Sequence, residues 1–145
     1  TALESGMFLF GCHPDLYLSS LRYWDENLKA ASLDIIQCAK ELDIPLEMNG
    51  AGLRKPLIKT DKGFRHPYST EEFFTLAFQQ GAKICCNSDA HDPKLVNGRR
   101  AGDFHNECFA LADKIGLQFV DWQIDDNGKL SSLRPGNQAC SILSI

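Results

Sequence analysis

The chain has 145 residues, 43% of them apolar and 23% charged, with a formal net charge of −4. That length suits a single domain over residues 1–145 with a core of its own. The acidic balance argues against a dedicated nucleic-acid binder, and no apolar run approaches the ~20 residues that cross a bilayer.

The first residues, Thr1-Ala2-Leu3-Glu4-Ser5, lack the basic start and long apolar segment of a signal peptide. They also lack an initiator Met, and the expectation is a processed or excised chain. Met7 to Cys12 is a continuous apolar run that predicts a buried strand, ended by His13-Pro14-Asp15. From about Asp25 to Asp43, Leu28, Leu33, Ile35, Ile36, Ala39 and Leu42 recur at helical spacing. Ile44 to Asn49 reads as a second strand, and Gly50 to His66 as a loop rich in Gly, Pro and Lys. Ser69-Thr70-Glu71-Glu72 reads as a capping box that opens a helix through about Gln80, stopped by Gly81. Ala82 to Asn87 is the third predicted strand. Phe104, Cys108, Leu111 and Ile115 mark one face of another helix, stopped by Gly116. Gln118–Ile124 and Lys129–Leu133 flank Asp125-Asp126-Asn127-Gly128, the pattern of a terminal hairpin.

The cysteines stand at 12, 38, 85, 86, 108 and 140, with no Cys-x-x-Cys pair. Cys12, Cys85 and Cys86 fall in the apolar strand-like runs, where Cys acts as a small hydrophobe. This predicts reduced thiols and a cytoplasmic home.

Strands alternating with helices predict an α/β fold of about three parallel strands with covering helices. In such folds the ligand site lies at the carboxyl ends of the strands. Here those ends hold His13 with Asp15, Glu47 with Asn49, and Asp89 with His91. His13, Asp89 and His91 form a plausible nitrogen-and-oxygen ligand set, suited to zinc, manganese or iron rather than calcium or magnesium. The ordinary alternative for each histidine alone is packing at a strand end. Between Gly52 and His66, Arg54, Lys55, Lys59, Lys62 and Arg65 stand against Asp61. That loop carries +4 in a chain of −4, which leaves −8 elsewhere. A positive loop beside an acidic, histidine-bearing rim suggests an anionic substrate, with Arg54 as the phosphate grip. His66 and His105 are weaker candidates. Trp24 and Trp122 read as packing. No nucleophile elbow and no P-loop is present.

Gly11-Cys12-His13-Pro14-Asp15-Leu16, Leu46-Glu47-Met48-Asn49-Gly50-Ala51-Gly52-Leu53-Arg54-Lys55-Pro56 and Asn87-Ser88-Asp89-Ala90-His91 together resemble the PHP (polymerase and histidinol phosphatase) superfamily. They are most similar to its histidinol-phosphate phosphatase branch, which acts in histidine biosynthesis. The resemblance covers roughly residues 7 to 120. It implies a distorted (β/α)7 barrel with up to three metal ions at its carboxyl rim, of which this chain would be the C-terminal part, a partial (β/α) barrel. It implies that His13, Asp89 and His91 ligate metal, with Asp89 and His91 in the catalytic centre. It also implies that Arg54 holds the substrate phosphate, with Asp15 and Asn49 close by on the substrate side. The implied activity is hydrolysis of a small phosphate ester by a metal-activated hydroxide.

The His-x-His motif with which the family begins is absent, and His66-Pro67-Tyr68-Ser69 replaces its usual Tyr-Pro-Ser pattern. The expectation is weak or no activity for this chain alone. Its expected partners are a small phosphorylated substrate and either a further copy or a missing N-terminal half, with no nucleic acid and no membrane. The alternatives are a truncated, non-catalytic PHP module that binds metal or a partner chain, and a PHP phosphodiesterase acting on nucleic acid.

Overall fold

A computed structural model describes residues 2–91, 101–124 and 130–135, with side chains over 2–91 and 107–120. The architecture is mixed α/β, and the described strands form three two-stranded sheets.

Strand β1 (Leu46–Asn49) and β4 (Ile84–Asn87) pair in parallel, with Leu46 opposite Ile84 and Asn49 opposite Asn87. The expected strand over Met7–Cys12 does not form. It contributes one parallel bridge, Gly11 to Leu46. Gly11 N–H donates to Pro45 O at 2.8 Å, and Glu47 N–H donates to Gly11 O at 2.9 Å. Met7 is 80% exposed and Leu9 59%. A run of this kind predicts a strand covered on both faces, and here a single bridge holds it. Cys12 is accordingly exposed, not packed in a sheet, while Cys85 is buried as expected. The five described cysteines carry free thiols.

Helix α1 (Glu26–Glu41) starts where Asp25 accepts the Leu28 N–H at 2.9 Å. It ends in a left-handed residue, Asp43, whose carboxylate pairs with Lys83. Helix α2 (Gly50–Arg54) and an antiparallel hairpin of β2 (Ile58–Thr60) and β3 (Gly63–Arg65) occupy what the sequence suggested was a loop. The hairpin turns at Gly63, whose φ of 124° only glycine adopts without strain. Helix α3 (Glu71–Gln79) is capped by Thr70, whose hydroxyl accepts the Phe73 N–H. The cap thus lies one residue beyond the Ser69 that the capping-box pattern indicated.

Helix α4 (Ala101–Ile115) ends at Gly116, φ 83°. Then β5 (Val120–Ile124) and β6 (Leu130–Pro135) pair antiparallel, as the flanks of Asp125-Asp126-Asn127-Gly128 suggested. The turn itself, His105's side chain and Cys140 lie outside what the structure describes.

The core sits between the β1–β4 sheet and α1, α3 and α4, around Phe73, Phe74, Met48, Ile36, Ile84 and Cys108. Phe73 and Phe74 meet edge to face at 5.3 Å and are fully buried. Each contributes roughly 2–3 kcal/mol by leaving water. Among the described residues, no helix is long and apolar enough to cross a membrane.

Candidate functional site

The carboxyl ends of the strands converge on a buried polar network. The chain leaves Gly11 and turns at His13, a left-handed residue with φ 30°. His13 N–H donates to Glu47 Oε2 at 2.8 Å. Glu47 points from the middle of β1 and is 1% exposed. The same oxygen accepts Asn49 Nδ2 at 2.9 Å. Asn49 Oδ1 in turn accepts the N–H groups of Ala51 and Gly52, at 2.9 and 3.3 Å, and so caps α2. This is why α2 starts directly off the strand: a side-chain acceptor stands where two helical N–H groups need one.

Ser69 joins the second tier. Its hydroxyl accepts the Asn49 N–H and donates to the Asn49 carbonyl, both at 2.8 Å. Its φ of 55° is left-handed. Ser69 N–H and Thr70 N–H donate to Asp15 Oδ1 and Oδ2 at 3.1 and 2.7 Å. Asp15 is fully buried at the start of α3. Burial pushes its pKa up, against the opposing pull of the bonds from Thr70 and Ser69.

The third strand end is Asn87-Ser88-Asp89. Asp89 is left-handed, φ 48°. Arg54 Nη2, at the end of α2, donates to the carbonyls of Ser88 and Asp89 at 3.1 and 3.2 Å. His91 Nδ1 lies 2.9 Å from the Asp89 carbonyl and 3.6 Å from its carboxylate. The His91 side chain is 82% exposed and that of Asp89 29%. Tyr68 packs over Gly52 of α2. Its ring meets the His13 ring at 6.0 Å, edge on, and Lys55 Nζ lies 5.8 Å from its centroid. Burial raises the Tyr68 pKa, and the negative charge of Asp89 adds to the rise. Burial, Glu47 and Asp89 likewise raise the Cys12 thiol.

All the residues singled out at the strand ends therefore lie on one rim, but in different roles. Glu47, Asn49 and Asp15 are interior struts that fix backbone. His13, Asp89, His91 and Arg54 are at least partly open to solvent. Among the described residues, three of the four left-handed non-glycine ones, His13, Ser69 and Asp89, belong to this rim. Such conformations cost about 1–3 kcal/mol each and persist where surrounding bonds over-determine them. Among the described residues, no group of three or more His, Cys, Asp or Glu side chains is placed to hold a metal ion. His13, Asp89 and His91 share the rim without forming a ligand set among themselves.

Arg65 is not part of the anion-facing set. Its guanidinium donates to four carbonyls, those of His66, Pro67, Leu18 and Leu21, at 2.8–3.2 Å. Ser69 and Tyr68 are the rim residues the sequence reading did not single out. Ser69 looked like a helix cap, and nothing in its spacing reveals that it bridges to Asn49. Comparison with family models, with curated proteins and with solved structures gives no match.

Proposed function

We propose that this chain carries part of a phosphate-ester site of the PHP type, on the histidinol-phosphatase pattern. The observation that supports it is the rim itself: the ends of β1 and β4 and the turn after Gly11 lie together, with His13 held on the buried Glu47–Asn49 network and Arg54 bonded to the Ser88 and Asp89 carbonyls. A guanidinium beside backbone locked in strained turns suits recognition of a compact anion, because little is left to order on binding. In this reading His13, Asp89 and His91 contribute metal ligands, with zinc, manganese or iron as the ion, and need further ligands from elsewhere. Arg54 contacts the phosphate from its anchored position on the Asp89 turn. The substrate class is a small phosphomonoester, and the chain alone is weakly active or inactive.

The test is calorimetric titration of the chain with Zn²⁺ and Mn²⁺, followed by phosphate release from histidinol phosphate. The expected result is one weakly held ion, lost in His13→Ala and in Asp89→Asn. Any phosphate release should fall in Arg54→Gln. Absence of ion binding, or turnover that His91→Ala leaves unchanged, overturns the assignment.

A further inference from the structure

Strand β4 carries two adjacent cysteines with different surroundings. Successive side chains of a strand point to opposite faces. Ile84 and Cys86 accordingly pack with the core, while Cys85 shares the other face with its cross-strand neighbour Glu47. Cys86 stands opposite Met48 in the sheet register. Helix α4 packs against β4 and brings Cys108 into the core, where it is fully buried. Cys108 Sγ donates to the Met48 carbonyl at 3.8 Å. The Cys86 and Cys108 thiols also share a hydrogen bond. Two sulfurs, one on a strand and one on the helix that covers it, are thus already in contact.

Their exposures differ. Cys86 is partly open, and Cys108 is closed off from solvent. The bond to Cys86, and then burial, push the Cys108 thiol up, so Cys108 keeps its proton. A partly open sulfur that meets a reagent first, beside a buried one that completes the exchange, is the arrangement of an attacking and a resolving thiol. The other face of the sheet offers no such pair. Cys12 and Cys85 lie on either side of Glu47, with β1 between them. Two strand spacings put them about 10 Å apart, beyond the ~7 Å between Cα atoms that a disulfide spans.

We propose that Cys86 and Cys108 form a reversible disulfide by exchange with a low-molecular-weight disulfide such as oxidised glutathione. Cys86, as thiolate, attacks one sulfur of oxidised glutathione and releases the first glutathione. Cys108 gives its proton to solvent, attacks Cys86 Sγ and expels the second. Two protein thiols lose two electrons and two protons, and one oxidised glutathione becomes two reduced ones. The bond ties α4 to the strand that leads to Asp89. The proposal is independent of the phosphatase reading, since neither sulfur is assigned to the rim.

The experiment is incubation of the folded full chain in mixtures of oxidised and reduced glutathione, followed by alkylation of the remaining thiols, intact mass and peptide mapping. The expected product has two fewer alkylated thiols, no retained glutathione and a link between Cys86 and Cys108. Cys85→Ala should leave the link in place, and Cys86→Ala should abolish it. Cys108→Ala should retain one glutathione on Cys86, with circular dichroism to verify the fold of each variant. The thermal midpoint of the oxidised chain should rise by about 5 °C or more, because the bond closes a loop in the unfolded state. A link that survives Cys86→Ala, or one that forms only in urea, overturns the proposal. So does the absence of any intramolecular disulfide across the full range of mixtures, or an oxidised chain that melts lower than the reduced one.

Discussion

Gly52→Ala tests how tightly the rim is seated. Gly52 lies inside α2, where alanine would ordinarily gain about 1 kcal/mol over glycine. In this fold a Cβ at Gly52 would lie 2.5 Å from Tyr68 Cδ2, 2.8 Å from Cε2 and 2.7 Å from the Tyr68 carbonyl oxygen. Carbon does not approach other heavy atoms that closely, so something must move. The Tyr68 ring is 6% exposed and has the His13 ring and Lys55 as neighbours. The carbonyl moves even less easily, because the next residue is left-handed Ser69, bonded to Asp15 and to both main-chain groups of Asn49. Overpacking of this sort costs about 1–3 kcal/mol, and here backbone has to shift, so the upper end applies. Set against the helix-propensity gain, the net loss is about 2 kcal/mol.

Urea unfolding measures it. With a slope of about 2 kcal/mol/M, the midpoint should fall by about 1 M at unchanged slope. Gly50→Ala is the control. Its Cβ would stand 3.3 Å from Asn87 O and Ser88 Cα, which small adjustments relieve. A Gly52→Ala protein as stable as the parent would show that Tyr68 does not pack over α2, and the described rim would be wrong.

The other predictions concern the struts. Burial raises the folded-state pKa of Asp15 above its unfolded value, so the native state binds that proton more tightly than the unfolded chain. The resulting stability is complete below the unfolded carboxyl value of about 4 and disappears as pH rises through the higher folded value. Asp15→Asn removes the titration. Unfolding at stepped pH should show parent-minus-variant stability falling as pH rises through that window, and a rising difference would contradict it. Asn49→Ala removes the α2 cap and the Nδ2 bond to Glu47, and should lower stability by about 2 kcal/mol, read by thermal or urea unfolding. Arg65→Lys cannot reach four carbonyls at once. It should cost about 1–2 kcal/mol in the same assay, whereas the exposed Lys59→Ala should stay within about 0.5 kcal/mol.

The helices were the most legible part of the chain. Asp25 before a 3.6-periodic run, Thr70 before Phe73 and Phe74, and Gly81 and Gly116 after the last turns are local signals, and local bonds answer them. The strands were legible where a partner strand pairs along their length. Leu46–Asn49 bonds with Gly11 on one side and Ile84–Asn87 on the other, and all four of its residues are buried. Met7–Cys12 is just as apolar, but one bridge cannot sustain a ladder. Hydrophobicity says that a segment can be buried; pairing and cover decide whether it is. The stretch from Gly50 to His66 was misread for the opposite reason. Its Gly, Pro and Lys suggested loop, yet Asn49 as a cap and Gly63 as a turn former are enough to start a helix and close a hairpin.

The same distinction explains why the rim residues were legible as a set but not in their roles. Strand order places His13, Glu47, Asn49 and Asp89 at one end, and periodicity alone carries that. Which of them face solvent depends on backbone angles that no spacing encodes. A left-handed φ at His13 puts its N–H on Glu47, and a left-handed φ at Ser69 sends two N–H groups into Asp15. His13 and Ser69 are each held by a carboxylate, about 34 and 54 positions away in sequence. The carboxylates that look most like chemistry in the sequence, Glu47 and Asp15, are therefore the ones already bonded to backbone. The groups left partly open, His13, Asp89 and His91, are the ones a ligand would meet. Buried acids at strand ends are thus better read first as answers to backbone strain, and the partly open side chains beside them as the candidates for function.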